Sequence, residues 1–204
     1  MTRILITRQG ESEHNLNTRF FMGRSPSSRL TEKGREQARR LGRRLAGLGH
    51  APALTICSSL PRAVETAELI ARALGGGPPA GDDAFWELSK GDWEGRMPRE
   101  LPPEVKRAVD ADPFGFRHPG GESYREVCER VTPAFERWVA RHRGGTILFV
   151  LHGDVIRALL YHLIRFPTQR IGDWAIDPCS LSEVEEEPDG RRVIVRLNDA
   201  SHLG

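Results

Sequence analysis

The chain opens with Arg3-Ile4-Leu5-Ile6-Thr7, a β-prone apolar run that breaks off at Arg8-Gln9-Gly10-Glu11-Ser12. This pattern predicts a buried strand that delivers polar side chains to its carboxyl end and then turns. Two later stretches repeat the arrangement. Ala53 to Cys57 runs into Ser58-Ser59-Leu60-Pro61-Arg62, and Thr146 to Leu151 runs into His152-Gly153-Asp154. The last is a continuous apolar run, as expected of a strand covered on both faces. In open α/β sheets ligands bind at the carboxyl ends of strands, so all three polar stops are candidates for one site.

Helical patterns separate the strands. Thr31 offers an N-cap with Glu32 in the first turn, and Ala38, Leu41, Leu45 and Leu48 recur on one face until Gly49. Pro61 is tolerated in the first turn of a second helix with Ala63, Ala67, Ile70 and Leu74 inward. Gly120-Gly121-Glu122-Ser123 precedes a long amphipathic helix facing inward through Tyr124, Val127, Val131, Phe135 and Trp138. A further helix follows His152-Gly153, and Pro98 to Asp112 reads as holding a short one. Two late runs, Ser180 to Glu186 and Arg192 to Leu197, flank Pro188-Asp189-Gly190 as a hairpin or adjacent strand pair, with Glu185 to Glu187 as a solvated strand end. Strands alternating with helices predict an α/β fold, a three-layer α/β/α sandwich on a mostly parallel sheet.

At 204 residues the chain suits one domain over its whole length, with a lid or substrate region at about 85–122. The segment Phe85 to Gly95 has no clean period and reads as irregular lid rather than core. Thirty Lys and Arg against 28 Asp and Glu imply no nucleic-acid surface, and the arginines from Arg35 to Arg44 read as a solvated helix face. Cys57, Cys128 and Cys179 are odd in number and lack metal or redox spacing, which fits packing roles in a reduced, cytoplasmic setting. No apolar run approaches the roughly 20 residues of a membrane span, so no membrane association is expected. No His–carboxylate cluster has metal spacing, and neither metal nor cofactor is expected.

Two guanidiniums, Arg8 and Arg62, converging with the His152 imidazole suit a phosphate dianion, because arginine's planar fork matches phosphate oxygens. A carboxyl group nearby, such as Glu87, would be biased towards its protonated form and could protonate a leaving alcohol. Arg24, Arg96, Arg99 and Arg117 sit in segments that could supply a second anion contact, and Trp86, Trp93 and Phe116 could stack on a ring. Among the remaining histidines, His118 is best placed for the pocket because it precedes Pro119-Gly120-Gly121.

These landmarks together resemble the histidine phosphatase superfamily, the phosphoglycerate-mutase-like fold. Arg8-Gln9-Gly10-Glu11-Ser12 with Asn15 resembles its opening Arg-His-Gly-Glu-Ser/Thr-x-x-Asn signature. Ser58 to Ala67, Glu87 to Gly95, Gly120 to Ser123, Leu151-His152-Gly153 and Leu197-Asn198-Asp199 resemble the later landmarks, in order along essentially the whole chain. The resemblance implies that Arg8, Arg62 and His152 hold the phosphoryl group, with Asn15 and the Gly153 backbone adding contacts, and that Glu87 is the proton donor. It also implies that the loop from Arg19 to Gly23 lines the substrate side, although this loop is one residue longer than the usual form at Met22 and Gly23. Its implied substrate is a small phosphate ester, of a sugar or related metabolite, and a homodimer is compatible with it.

One departure matters. The family nucleophile is the histidine after the first arginine, and here that position is Gln9. An amide nitrogen has its lone pair delocalised into the carbonyl and cannot attack phosphorus. The expectation is therefore a phosphomonoesterase scaffold that works through a phosphohistidine when histidine is present and only binds when Gln9 is. Gln9 is either an engineered, substrate-trapping replacement or the natural residue of a noncatalytic phosphometabolite-binding protein. The segment Gly91 to Met97 is closer to the phosphatase branch than to the phosphoglycerate mutases, which remain the third alternative.

Overall fold

The computed structural model describes residues 1–16, 21 and 23–204. Met22 and Arg19, both expected on the substrate side, lie outside the described residues. The chain forms β1 (Thr2–Arg8), a single turn α1 (Glu13–Leu16), α2 (Glu32–Gly47), β2 (Leu54–Cys57), α3 (Pro61–Leu74) and the two-residue β3 (Ala80–Gly81). Short 3-10 turns and α4 (Pro103–Ala111) lead to α5 (Tyr124–Arg141), β4 (Thr146–Leu151), α6 (Gly153–Ile164) and the pair β5 (Leu181–Glu186) and β6 (Arg192–Asp199). The sheet order is β3-β2-β4-β1-β5-β6. The first four strands are parallel, β5 runs antiparallel to β1, and β6 antiparallel to β5.

The two-residue period of the strands divides the core into two layers. Leu5, Leu148 and Val150 pack on one side against Ala38, Leu41 and Leu45 of α2 and Ala67 and Ile70 of α3. Ile4, Ile6, Ile147, Phe149 and Leu151 pack on the other against Val127, Val131 and Phe135 of α5 and Val155 and Leu159 of α6. The expected three-layer α/β/α architecture is therefore present. Its helix starts are fixed by the cap read at Thr31 and by one found at Ser123, where the sequence showed only that a helix follows. Thr31 Oγ1 accepts the Gly34 N–H at 3.0 Å, and Ser123 and Glu126 form a reciprocal capping box. Each such cap contributes about 1 kcal/mol.

Three features differ from the sequence reading. Phe85 and Leu88 are fully buried in the α5–α6 core, so the first part of the expected lid plugs the sheet. It does so from a 3-10 turn over Asp83–Phe85, which carries no repeat for a periodicity argument to find. After Pro78-Pro79, where no strand was expected, β3 pairs with β2 through two residues. Glu186 is not solvated. It is buried and accepts from Arg192 NH2 at 2.6 Å, while Glu185 accepts from Arg3 at 3.1 Å.

Arg192 ties this hairpin to α5. Its NH1 and NH2 donate to the two Glu136 oxygens at 2.6 Å each, and His162 Nε2 stands 2.6 Å from Glu136 Oε1. Hydrogen bonding from Arg192, with help from His162, holds the Glu136 carboxyl down to about 2 against an ordinary 4.5. A lowered carboxyl contributes stability above its ordinary value that is lost as pH falls through the lowered one. Arg192→Met should cost about 3 kcal/mol near neutral pH, since Glu136 would lose both its 2.6 Å bonds from Arg192 and Glu186 would keep, among the described residues, Arg143 at 3.9 Å. Urea midpoints should therefore converge between variant and parent as pH falls from about 4.5 towards about 2. Parallel pH curves would contradict this role.

Candidate active site

Because β2, β4 and β1 are neighbours, the three polar stops meet at one edge of the sheet. Arg8 ends β1 and donates from NH1 to the Ile176 carbonyl at 2.6 Å, while its buried Nε meets no acceptor among the described residues. Gln9 extends the ladder by donating its backbone N–H to Leu151 at 2.8 Å. Its side chain is buried, and Oε1 accepts no hydrogen bond among the described residues. Gly10 then donates to Thr66 Oγ1 at 3.1 Å and presses against α2, where a Cβ would fall 2.4 Å from the Gly34 carbonyl oxygen. That close approach fixes where the Arg8-Gln9 turn leaves the sheet.

Arg62 enters from the first turn of α3. It is 2% exposed and donates to the Gly23 and Ser25 carbonyls at 3.1 and 3.0 Å, so it also holds the loop read as substrate-facing. His152 occupies the N-cap of α6, with Nε2 2.8 Å from Ser58 Oγ at the end of β2. Gly153 begins that helix beside two guanidiniums: a Cβ there would lie 3.7 Å from Arg8 Nε and 3.6 Å from Arg157 NH1. Burial lowers the pKa of both Arg8 and Arg62, Glu87 opposes the shift in each, and the Arg8 charge further lowers Arg62. The positive end of a helix adds to this field. Such an arrangement favours a dianionic oxyanion.

Glu87 faces these cations. Burial, then the Asp154 charge, pushes its carboxyl up to about 6, against the opposing Leu88 N–H, Arg62 and Arg8. Near that value a carboxyl can give and retake a proton close to neutral pH. Its backbone is clamped. The Glu87 carbonyl accepts from Arg24 Nε at 2.9 Å and Arg130 NH2 at 3.3 Å, and both arginines also bond to Glu122. Glu122 in turn accepts the Ser89 N–H at 3.2 Å. The Gly120-Gly121 pair makes this possible, because a Cβ on Gly121 would fall 2.5 Å from the Ser89 carbonyl oxygen. Asp154 accepts from Tyr124 Oη and, at 2.7 Å, from Arg157 NH1, with Lys90 Nζ 3.7 Å away. Burial alone would raise Asp154, but Lys90, Arg157 and Tyr124 hold it down to about 2.

Of the sequence-predicted residues, Arg8, Gln9, Arg62, Glu87, His152 and Gly153 are thus brought to one place, with Gly23 joined to it through Arg62. Asn15 plays a local part: its Oδ1 accepts from the Ser12 N–H at 2.9 Å and the Ser12 hydroxyl at 3.1 Å. Trp86 donates to Ser59 Oγ at 2.6 Å, and Arg24 stacks over its ring at 5.4 Å. Trp93 stacks on Phe116 and meets His118 edge-on at 4.9 Å, and His118 lines a neighbouring cleft. The exposed Arg117 turns to Glu126 at 3.3 Å, and Arg96 is exposed. Glu122, Arg130, Asp154, Tyr124 and Arg157 were not singled out for the site. Asp154 and Arg157 form an i,i+3 pair that the sequence could have offered, whereas the bonds of Tyr124 to Asp154 and of Arg130 to the Glu87 carbonyl join residues 30 and 43 positions apart, with no spacing to read.

The like charge on Asp154 gives a direct check. Glu87, being raised, contributes stability that is full below its ordinary 4.5 and lost as pH rises through about 6. In Asp154→Asn the Glu87 carboxyl should titrate below about 6, towards 4.5, in carbon-13 NMR of labelled glutamates. An unchanged titration would rule out electrostatic control by Asp154.

A pocket of buried arginines and a histidine at strand carboxyl ends, with an acid opposite, has the charge and shape to take an oxyanion. The profile described as Histidine phosphatase superfamily (branch 1) matches residues 4–200, and the chain belongs to that family. It is 35% identical over 184 residues to the 2,3-bisphosphoglycerate-dependent phosphoglycerate mutase of Methylobacterium sp. (strain 4-46), covering 84% of this chain and 85% of that one. Among solved structures, Bacillus stearothermophilus YhfR superposes with a TM-score of 0.85 at 32% identity, over 100% of both chains. The mycobacterial glucosyl-3-phosphoglycerate phosphatase Rv2419c, solved in complex with VO3, superposes with a TM-score of 0.83 at 25% identity, over 97% and 99% of the two chains.

Proposed function

We propose that this chain is a phosphomonoesterase scaffold for a small phosphate ester, in which Gln9 occupies the nucleophile's place and leaves a form that binds without cleaving. The observation that carries the reading is Arg8 Nε, a buried donor with no acceptor among the described residues, set beside Gly153 and facing Glu87. An uncompensated buried donor of this kind is costly, and a phosphate oxygen satisfies it. Arg62 and His152 supply further contacts to the same phosphoryl group.

With histidine at position 9 the chemistry balances in two steps. The imidazole nitrogen forms a bond to phosphorus as the ester P–O bond breaks, and protonated Glu87 gives its proton to the departing alkoxide. Water then attacks the phosphohistidine, its proton passing to the Glu87 carboxylate, and histidine and inorganic phosphate are regenerated. Gln9 supplies no nucleophilic nitrogen for the first step, its amide lone pair being delocalised into the carbonyl. Its amide N–H can still donate to a phosphate oxygen.

A second reading is favoured by the mutase among the relatives: phosphoryl transfer to a second alcohol in place of water. The two readings separate on product. Phosphate release by Gln9→His and by the parent protein should be followed across sugar, nucleoside and phosphoglycerate esters. The expected result is turnover with an acid-labile phosphoprotein in Gln9→His and binding alone in the parent. Transfer dependent on a bisphosphate primer would favour the mutase reading, and absence of turnover in both forms would overturn the catalytic one.

A further inference from the structure

Next to the phosphate pocket lies a cleft of about 530 Å³. Apolar surface from Phe21, Trp93 and Leu101 lines it together with three cations, Lys90, Arg99 and Lys106, and among the described residues no carboxylate does. It adjoins the pocket through two contacts. Lys90 Nζ stands 3.7 Å from Asp154, whose charge acts on Glu87. The Lys90 backbone nitrogen would lie 3.1 Å from a Cβ on Gly23, whose carbonyl accepts from Arg62. Lys90 stands three residues after Glu87, and its N–H shares the Glu94 Oε1 acceptor with Arg24, whose Nε holds the Glu87 carbonyl, so the cleft opens on the acid's segment, where a departing alcohol must be.

The far wall of the cleft is unusual. Helix α4 contributes Pro103, Lys106 and Val109 to the lining, yet none of its nine residues is buried. Val105 and Val109, one turn apart, stay only half-buried. An amphipathic helix normally buries its apolar face against something. Here the something is a space large enough for a small organic ligand.

Resting on the reading above, we infer that this cleft holds the alcohol half of the ester, and that this half is an apolar or aromatic group bearing a second anion. A ring or alkyl chain fills the lining at Phe21, Trp93 and Leu101 and covers the face of α4. A carboxylate or second phosphate meets Arg99 and Lys106. A three-carbon polar ester satisfies the cations but leaves the apolar lining uncovered, so it is the poorer ligand.

Calorimetry on the Gln9 protein tests this without turnover, using inorganic phosphate, glycerol 1-phosphate, phenyl phosphate and 4-carboxyphenyl phosphate. Phenyl phosphate should bind roughly tenfold more tightly than glycerol 1-phosphate, from burial of the ring. The added carboxylate should gain roughly fivefold more, as expected for two partly exposed ion pairs. Arg99→Ala with Lys106→Ala should erase the carboxylate gain and keep the phenyl gain. Arg39→Ala with Arg43→Ala, an equal charge change on exposed α2 positions, should keep both. Equal affinities for the three esters while inorganic phosphate binds would overturn this inference alone, as would a carboxylate gain that survives loss of Arg99 and Lys106. Absence of inorganic phosphate binding would overturn the phosphate reading and this inference with it.

Discussion

Two guanidiniums forced into one desolvated pocket set the terms for the rest of the structure. Arg8 and Arg62 each lose solvation, and the Arg8 charge adds to the cost at Arg62. Backbone carbonyls take part of that burden, Ile176 for Arg8 and Gly23 and Ser25 for Arg62. These neutral acceptors anchor the side chains but do not cancel their charge. Glu87 is the carboxylate whose field favours both cations, and it is itself raised by burial. A dianion between the two arginines relieves the repulsion and at the same time favours the protonated form of Glu87. Binding and the readiness of the acid are thus one electrostatic problem.

Solving it requires rigid backbone, and the chain supplies it from both sides. The turn after β1 is seated by the Gly10–Gly34 contact and by the Gly10 N–H bond to Thr66. The acid-bearing segment is seated by Phe85 and Leu88 below and by Glu122, Arg24 and Arg130 around the Glu87 carbonyl. Farther along the chain packing thins out at α4, which buries none of its residues. Fixed chemistry beside a loosely filled wall is the division expected of a scaffold whose reactive end is constant and whose ligand end is open to change.

Much of this was legible in the sequence because it is local. The apolar runs at β1, β2 and β4 ended where the polar residues began, and Thr31, Pro61 and Ser123 marked helix starts through hydrogen-bond chemistry confined to one turn. Once alternating strands and helices imply a parallel sheet, Arg8, Arg62 and His152 must share an edge. The unread parts depend on partners far apart in the chain. Phe85 and Leu88 enter the core from an aperiodic turn, so no hydrophobic repeat announced them. Glu186 looked like one of three exposed acids, and only its pairing with Arg192 across the hairpin and near α5 shows why it is buried. Glu122 follows Gly121, whose close approach to the Ser89 carbonyl only the folded chain makes visible.

The measurement that bears most directly on the central claim is a crystal structure of the Gln9 protein grown with an intact phosphate monoester. The expected density shows the ester uncleaved, its phosphoryl oxygens within hydrogen-bond distance of Arg8 Nε, Arg62, His152 and the Gly153 N–H. Its bridging oxygen should face Glu87. An ester bound away from Arg8 and Arg62, or one cleaved while Gln9 is intact, would contradict the claim that these cations hold the phosphate and that chemistry waits on the residue at position 9.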